Sequence, residues 1–254
     1  MRFASLGSGS QGNGLVVEAG NTRLLLDCGF GLADTTTRLA RLDLAPEDLA
    51  GIVVTHEHED HIGGVARYAK RHHLPVWLTC GTLAGFEELF AAVETVNVIG
   101  DYGTFSVGNL QVLPYPVPHD AREPSQYVFS DGNHRIGVLT DTGSSTPHIE
   151  SMLSGCDALM LECNHDAALL QASSYPARLR ERISGRFGHL DNTAAAGLLG
   201  RLDNTRLKHL VAAHLSQENN RPALAQAALA GALGCAPDWI AVADQDLGLS
   251  WRDL

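Results

Sequence analysis

Apolar and polar residues along this chain fall into two periods, and their alternation predicts the elements. Leu15 to Ala19 and Arg23 to Asp27 are short alternating runs separated by Gly20-Asn21, which predicts two strands joined in a hairpin. Ile52-Val53-Val54, Val76-Trp77-Leu78, Arg135 to Leu139, Asp157 to Leu161 and Lys208 to Ala213 are denser apolar runs and predict buried strands. The section from Thr95 to Leu139 is β-rich, with turn glycines at Gly103 and Gly108, and the last strands lie near Ile240 and Leu249. Helical spacing covers residues 32 to 44, opens again at Ile62 and runs to about Arg71, and then spans about Thr82 to Phe90. Three further helices are bounded by their own punctuation: Thr146-Pro147 to Gly155, an Ala/Leu-rich stretch after Asp191 or Asn192, and Pro222 to Gly234. Strands and helices alternate with no linker, repeat or low-complexity segment between them, so the expectation is one α/β domain over residues 1–254.

Composition narrows the class. With 44% apolar residues in 254, the chain can bury a sizeable core. No run approaches the ~18 apolar residues of a membrane span. The short start Met1 to Gly7, which runs straight into the glycine-rich loop Gly7 to Gly14, is unlike a secretion signal, and a cytoplasmic location is expected. The five cysteines are scattered and never spaced as Cys-x-x-Cys, which fits reduced thiols without a catalytic role. A net charge of −11 excludes a general nucleic-acid coat, but not a nuclease, because two divalent cations add four positive charges where a phosphate must sit. One basic stretch stands apart: Arg178, Arg180, Arg182 and Arg186 follow Tyr175-Pro176 with only Glu181 opposing, and can line a groove for a phosphate backbone.

Candidate chemistry concentrates after the strand Ile52-Val53-Val54. There, His56, His58, Asp60 and His61 fall within six residues. In extended backbone the side chains of His56 and His58 point the same way, while Asp60 and His61, past the turn, can aim at a second point. Neutral imidazoles with a carboxylate and no nearby cysteine suit zinc, manganese or iron. A third histidine must come from elsewhere. His119, stiffened between prolines in Pro114 to Pro124, is the leading candidate.

Other positions repeat the grammar of an apolar run followed by a ligand. Asp27 closes Leu24-Leu25-Leu26, where burial is costly unless it orients a metal-binding side chain. Asp141 follows Arg135 to Leu139 and is placed to bridge two cations, and His214 ends Lys208 to Ala213. Asp157 to Leu161 runs into Glu162, Asn164, His165 and Asp166, with His165 and Asp166 lining the pocket rather than binding metal. His189, just before a helix, is expected to be a neutral, proton-exchanging imidazole because the dipole disfavours a permanent positive charge. The loop Gly7 to Gly14 offers backbone N–H groups to an anion, but lacks the Lys-Ser/Thr of a nucleotide loop. His72 and His73 are expected at the surface, and His134, His148 and His209 lack ligand context.

Taken together, Gly7-Ser-Gly-Ser-x-Gly-Asn13, Thr55-His-Glu-His-x-Asp-His61, His119-Asp-Ala-x-Glu-Pro124, Asp141-Thr-Gly143, Glu162-x-Asn-His-Asp166, Gly188-His-Leu-x-Asn192 and Ala213-His-Leu-Ser-x-Glu-Asn-Asn220 resemble the metallo-β-lactamase superfamily. More narrowly, they are similar to the bacterial YycJ/WalJ family. The resemblance implies an αββα sandwich, two mixed sheets flanked by helices. It implies that His56, His58 and His119 hold one cation, Asp60, His61 and His214 the other, and that Asp141 bridges both. It matches His189 to a general acid and implies a DNA exonuclease working from a 5′ end, without the insertion domains of RNA-processing relatives.

The expected chemistry is metal-assisted hydrolysis of a phosphodiester, in which two divalent ions (Zn²⁺ or Mn²⁺, or Fe) ionise a shared water and Asp60, Asp141 and His189 carry the catalytic work. Asn13, Asn164, Arg178 and Arg180 are the candidate substrate contacts, with DNA favoured over RNA. The alternatives are hydrolysis of a thioester, lactam or cyclic phosphodiester at the same metals, and a non-catalytic metal-dependent regulator. A complete set of seven ligands counts against the last.

Overall fold

The computed structural model describes residues 1–254 and gathers the apolar runs into two seven-stranded sheets. Arg2–Gly7 (β1), Gly14–Ala19 (β2), Thr22–Leu26 (β3), Gly51–Val53 (β4), Val76–Thr79 (β5) and Val96–Ile99 (β6) lie side by side in that order. The second sheet runs in the same sequential way through Phe105–Val107 (β7), Leu110–Pro116 (β8), Ser125–Ser130 (β9), Arg135–Leu139 (β10), Ala158–Glu162 (β11), His209–Ala213 (β12) and Ala241–Val242 (β13). Leu249–Asp253 (β14) returns to the first sheet beside β1, so the two final strands cap different sheets.

Both sheets are mixed in the same manner. Strands β1 to β3 pair antiparallel and β3 to β6 parallel, while β7 to β10 pair antiparallel and β10 to β13 parallel. Alternation along each strand then sorts side chains between layers. Leu24, Leu26 and Val53 of the first sheet share one buried cluster with Tyr127, Met160 and Val211 of the second, which places that cluster between the sheets. Leu25 and Ile52 point the other way, onto the helices Leu32–Ala40 and Val65–His72. Leu159, Leu161 and Leu210 likewise pack outward beneath the helices Pro147–Leu153, Asn192–Leu199 and Pro222–Leu233. The result is the four-layer αββα sandwich that the family resemblance implies, and no helix is long and apolar enough to cross a membrane.

Local departures from the sequence expectation have identifiable causes. The helix expected from Thr82 to Phe90 is two short ones, Cys80–Leu83 and Glu87–Phe90, broken at Gly85 with φ +90°. The helix from Leu32 stops at Ala40 rather than residue 44, because Leu42 and Leu44 turn into the core and Asp43 adopts φ +58°. The helix expected to open at Ile62 is split into Glu59–Ile62 and Val65–His72. Gly64 sits at that split because a Cβ there would lie 2.0 Å from the Phe30 carbonyl oxygen.

Parallel strands deliver their C-terminal ends to one edge of the sandwich. Asp27 follows β3, His56 follows β4, Asp141 follows β10, Glu162 ends β11 and His214 follows β12. Tyr127 Oη donates to the Val54 carbonyl at 2.7 Å, tying the second sheet to the first two residues before His56.

Candidate metal centre

Three backbone stitches set the loops of the first sheet. Asn13 N donates to Asp60 O, Gly29 N to Asn13 O, and Cys28 N to His61 O, at 2.8, 3.0 and 2.9 Å. Asp27, Asp141 and His214 all adopt left-handed backbone, with φ of 60°, 52° and 54°. For non-glycine residues this conformation costs energy and marks sites where side-chain direction outweighs backbone comfort. Asp141 and His214 turn their side chains off strand ends into the same hollow, and Asp27 turns onto the back of His61, which faces Asp141.

Seven candidate ligands meet there in overlapping groups. His56, His58 and His119 bring one ring nitrogen each within 4.8 Å of one another, and an Asp60 carboxylate oxygen meets one ring nitrogen each of His61 and His214 within the same distance. Asp141 stands between these groups, with Oδ2 3.1 Å from His61 Nε2 and Oδ1 3.5 Å from His214 Nε2. The surrounding hydrogen bonds aim lone pairs inward. His61 Nδ1 meets Asp27 Oδ2 at 2.8 Å, and Asp27 is fixed in turn by Thr55 N and Thr55 Oγ1, each at 2.8 Å. His119 Nδ1 donates to the Gly188 carbonyl at 3.1 Å, leaving Nε2 to face His58 Nδ1 at 3.2 Å. His56 Nδ1 pairs with Thr55 Oγ1 at 2.9 Å.

This donor set fits a cation. His56 Nε2 and Asp141 Oδ2 are both buried and accept no hydrogen bond, although His61 Nε2 lies 3.1 Å from that oxygen. With the His61 Nδ1 proton engaged by Asp27, two lone pairs confront each other, and only a second proton or a metal ion relieves them. The titration behaviour reports the same field. Burial pulls His61 down, but Asp141, Asp60 and Asp27 outweigh it and hold its pKa well above the ordinary value. Burial is likewise outweighed at His214, which Asp141, Asp60 and Glu162 push up to about 10. Asp60 and Asp141 are correspondingly lowered, burial opposing and His61 and His214 prevailing. His56 goes the other way, neutral through burial and the adjacent His61.

Glu162 organises the opposite wall. It is fully buried, yet its Oε1 takes a 2.7 Å hydrogen bond from His189 Nδ1, and its Oε2 accepts Thr142 N and Leu190 N at 3.0 and 3.2 Å. Burial raises its pKa, and His189 and His214 reverse this to about 2. His189 therefore differs from the neutral imidazole expected of it. Its pKa is raised, since Glu162 at 2.7 Å and Asp141 at 3.5 Å overcome burial, and the helix dipole is not the controlling charge. That helix begins three residues later, with Asp191 accepting Ala194 N as its cap.

Several expected substrate contacts have other partners. Asn13 Nδ2 lies 3.2 Å from both Asp60 O and Asp60 Oδ2 and its Oδ1 accepts Gly9 N, so it holds Asp60 in place. Asn164 donates to the His214 carbonyl at 3.2 Å and lies against His165 Nδ1. His165 is buried, lowered in pKa by that burial, and belongs to none of the ligand groups; Asp166 caps the helix Ala167–Ala172. The Gly7 to Gly14 loop turns its N–H groups to Asn13, Gln245 and Asp244 rather than outward. Arg180 donates to the carbonyls of Ser173 and Tyr175, so it braces its own loop. Arg178 lines a separate outer hollow with Pro176, Leu179 and Arg182.

Other positioning residues were passed over. Gln245 bonds Gln11 N and the Gly12 carbonyl from a loop with no sequence signal. Asp120, inside the His119-Asp-Ala motif, meets Arg182 Nε at 2.5 Å. His72, His73, His134, His148 and His209 stay outside the hollow, which Arg182, His189, His214 and Asp141 help line.

Comparison with known proteins agrees with this geometry. The family model of the beta-lactamase superfamily domain matches residues 22–214. Exodeoxyribonuclease YycJ of Bacillus anthracis is 35% identical over 230 residues, 89% of this chain and 86% of the relative. Exodeoxyribonuclease WalJ of Streptococcus pneumoniae D39 is 31% identical over 257 aligned positions, 99% of this chain and 92% of the relative. The metallo-beta-lactamase fold protein YhfI from Bacillus subtilis superposes with a TM-score of 0.76 at 16% identity, covering 99% of this chain and 98% of that one, and shows the shared fold. With a family match across most of its length and seven candidate ligands at its sheet ends, the chain belongs to the metallo-β-lactamase superfamily and is a hydrolase with a candidate metal centre, similar to the YycJ and WalJ exodeoxyribonucleases.

Proposed function

We propose that the chain is a dinuclear metal-dependent phosphodiesterase that degrades DNA from a 5′ end, the polarity that the family resemblance implies. One observation carries the reading: similarity over most of the chain to two proteins named exodeoxyribonucleases coincides with two ligand triads, His56/His58/His119 and Asp60/His61/His214, with Asp141 grouped with His56 and His61 on one side and with His214 on the other. His56, His58 and His119 would hold one divalent cation and Asp60, His61 and His214 the other. Such cations lower the pKa of a bound water and neutralise charge developing on a phosphoryl group. Asp27 fixes the His61 ring so that Nε2 faces inward, and Asn13 fixes the Asp60 carboxylate. His189, charged by Glu162 through Nδ1, keeps Nε2 for a proton passed to the departing oxygen. DNA is favoured over RNA by the relatives' names, and zinc, manganese and iron all suit the donors.

The test is end-labelled single- and double-stranded DNA and RNA, each with protein loaded with Zn²⁺ or Mn²⁺ and with metal content measured. Progressive shortening of DNA from the 5′ end is expected, lost in H56A and D141A. Nuclease activity retained by either variant would overturn the assignment, as would a metal-loaded wild type that leaves every nucleic acid intact.

A further inference from the structure

Among the side chains lining the hollow, Arg182 is the only arginine or lysine, and its neighbours there include Glu59, Asp60 and Asp141. Its guanidinium is held at one point only. Nε donates to Asp120 Oδ2 at 2.5 Å, and the terminal amino groups have no protein acceptor. The other oxygen of Asp120 lies 3.6 Å from His119 Nε2 and 3.9 Å from His58 Nε2. Asp120 thus stands between the arginine and the imidazoles, keeping the guanidinium one carboxylate beyond the candidate ligands rather than among them.

The helix that carries Arg182 is locked to the segment that carries His189. His189 N donates to the Ile183 carbonyl at 2.8 Å, and Gly188 packs so closely that a Cβ would fall 2.2 Å from the Arg182 and Ile183 carbonyl oxygens. The Arg182 backbone is therefore fixed relative to His189 and its exposed side chain is steered by Asp120, whereas Arg180 is tied to backbone carbonyls and Arg178 lines only the outer hollow that Arg182 also borders. A fork whose two terminal amino groups are free, tethered by Asp120 at the rim of a hollow lined by carboxylates and histidines, is suited to a phosphate oxygen.

The geometry points to Arg182 as a clamp for the phosphate next to the scissile one, with Asp120 as its positioning residue. This rests on the phosphodiesterase reading and narrows its substrate to a chain of linked nucleotides, since a nucleoside monophosphate or a cyclic mononucleotide has no neighbouring phosphate to hold.

The experiment uses metal-loaded wild type, R182A, R182K and D120N on a short single-stranded oligodeoxynucleotide, natural or with one phosphate flanking the scissile bond replaced by an uncharged methylphosphonate. For R182A, KM rises about tenfold or more with kcat within about threefold, and the slope of log KM against log salt falls by about one. The methylphosphonate at the clamped position raises KM for the wild type and adds nothing in R182A. R182K, lacking the fork, recovers only part, and D120N falls between wild type and R182A. Metal content and thermal midpoint of R182A and R182K stay at wild-type values; if R182A proves unstable, the methylphosphonate comparison in R182K decides. An unchanged KM and salt slope in R182A overturns the clamp alone, as does a methylphosphonate effect of equal size in wild type and variant. A wild type that cleaves no oligonucleotide overturns the phosphodiesterase reading and the clamp together.

Discussion

Asp27 Oδ2 and His61 Nδ1 lie 2.8 Å apart, both buried, and this contact decides which nitrogen of His61 faces the hollow. The carboxylate is committed elsewhere as well, to Thr55 N and Thr55 Oγ1, so it cannot follow a ring that rotates. Outer partners of this kind raise ligand basicity and fix the tautomer. Replacement of Asp27 by Ala is expected to weaken metal binding about 10- to 100-fold, read by competition with a chelating dye. Asp27→Asn should fall between, because its oxygen still accepts one donor. Wild-type metal affinity in Asp27→Ala would remove Asp27 from the account.

Glu162 and His189 form a second coupled pair, at 2.7 Å. Glu162 holds the imidazole charged, so a general-acid role is active at low and neutral pH and fades as pH rises through the His189 pKa. Removing the carboxylate charge with Glu162→Gln takes away the leading cause that raises that pKa, and the alkaline limb of the kcat profile should move to lower pH. His189→Ala should lose about 10²- to 10⁴-fold in kcat on DNA. A substrate with a p-nitrophenolate leaving group, which needs no proton, should recover most of the loss. An alkaline limb unmoved by Glu162→Gln would assign it to another group.

What was legible in the sequence follows from distance along the chain. His56, Asp141 and His214 announce themselves because an apolar strand ends beside each, and strand ends in a parallel sheet are where ligands converge. The charge on His189 was not legible, since Glu162 lies 27 residues upstream and its nearness depends on the His165–Asp191 bridge and the Asn164 N to Leu190 carbonyl bond that lay this segment beside the end of β11. Asp120 and Arg182 are 62 residues apart and belong to separate motifs, so neither suggests the other. Asn13 is a candidate substrate contact in the sequence; only the folded arrangement brings Asp60 against it. The split of the helix expected at Thr82 to Phe90 was signalled by Gly85, but the apolar spacing outweighed a single glycine in the reading.

Close packing at Gly29 offers a way to separate the two ligand groups. A Cβ at this position would lie 1.9 Å from the Asp60 carbonyl oxygen and 2.9 Å from Asn13 N. Gly29→Ala must therefore push Asp60 away from His61 and His214, while His56 and His58, earlier in the same segment, keep their contacts with Thr55 Oγ1 and with His119. Metal content is expected to fall from about two ions toward about one per chain, with the fold intact by circular dichroism. Loss of both ions together would mean that the groups do not fill independently.

Metal removal should also change how stability depends on pH. In the metal-free protein His214 titrates near 10 against an ordinary 6.5, and His61 is raised as well. A raised folded pKa contributes stability that is fully present below 6.5 and is lost as pH climbs toward 10. The lowered groups act outside this window: His56 contributes above 6.5 and loses its share below it, and Glu162, Asp60 and Asp141 contribute above the ordinary carboxylate range. Between pH 6.5 and 10 the raised histidines set the slope, so chelator-treated protein should unfold at progressively lower denaturant as pH increases. Bound cations take the place of those protons, and metal-loaded protein should show a much flatter profile there. A chelated protein whose denaturation midpoint stays level or rises over that range would mean that His61 and His214 do not carry the extra protons.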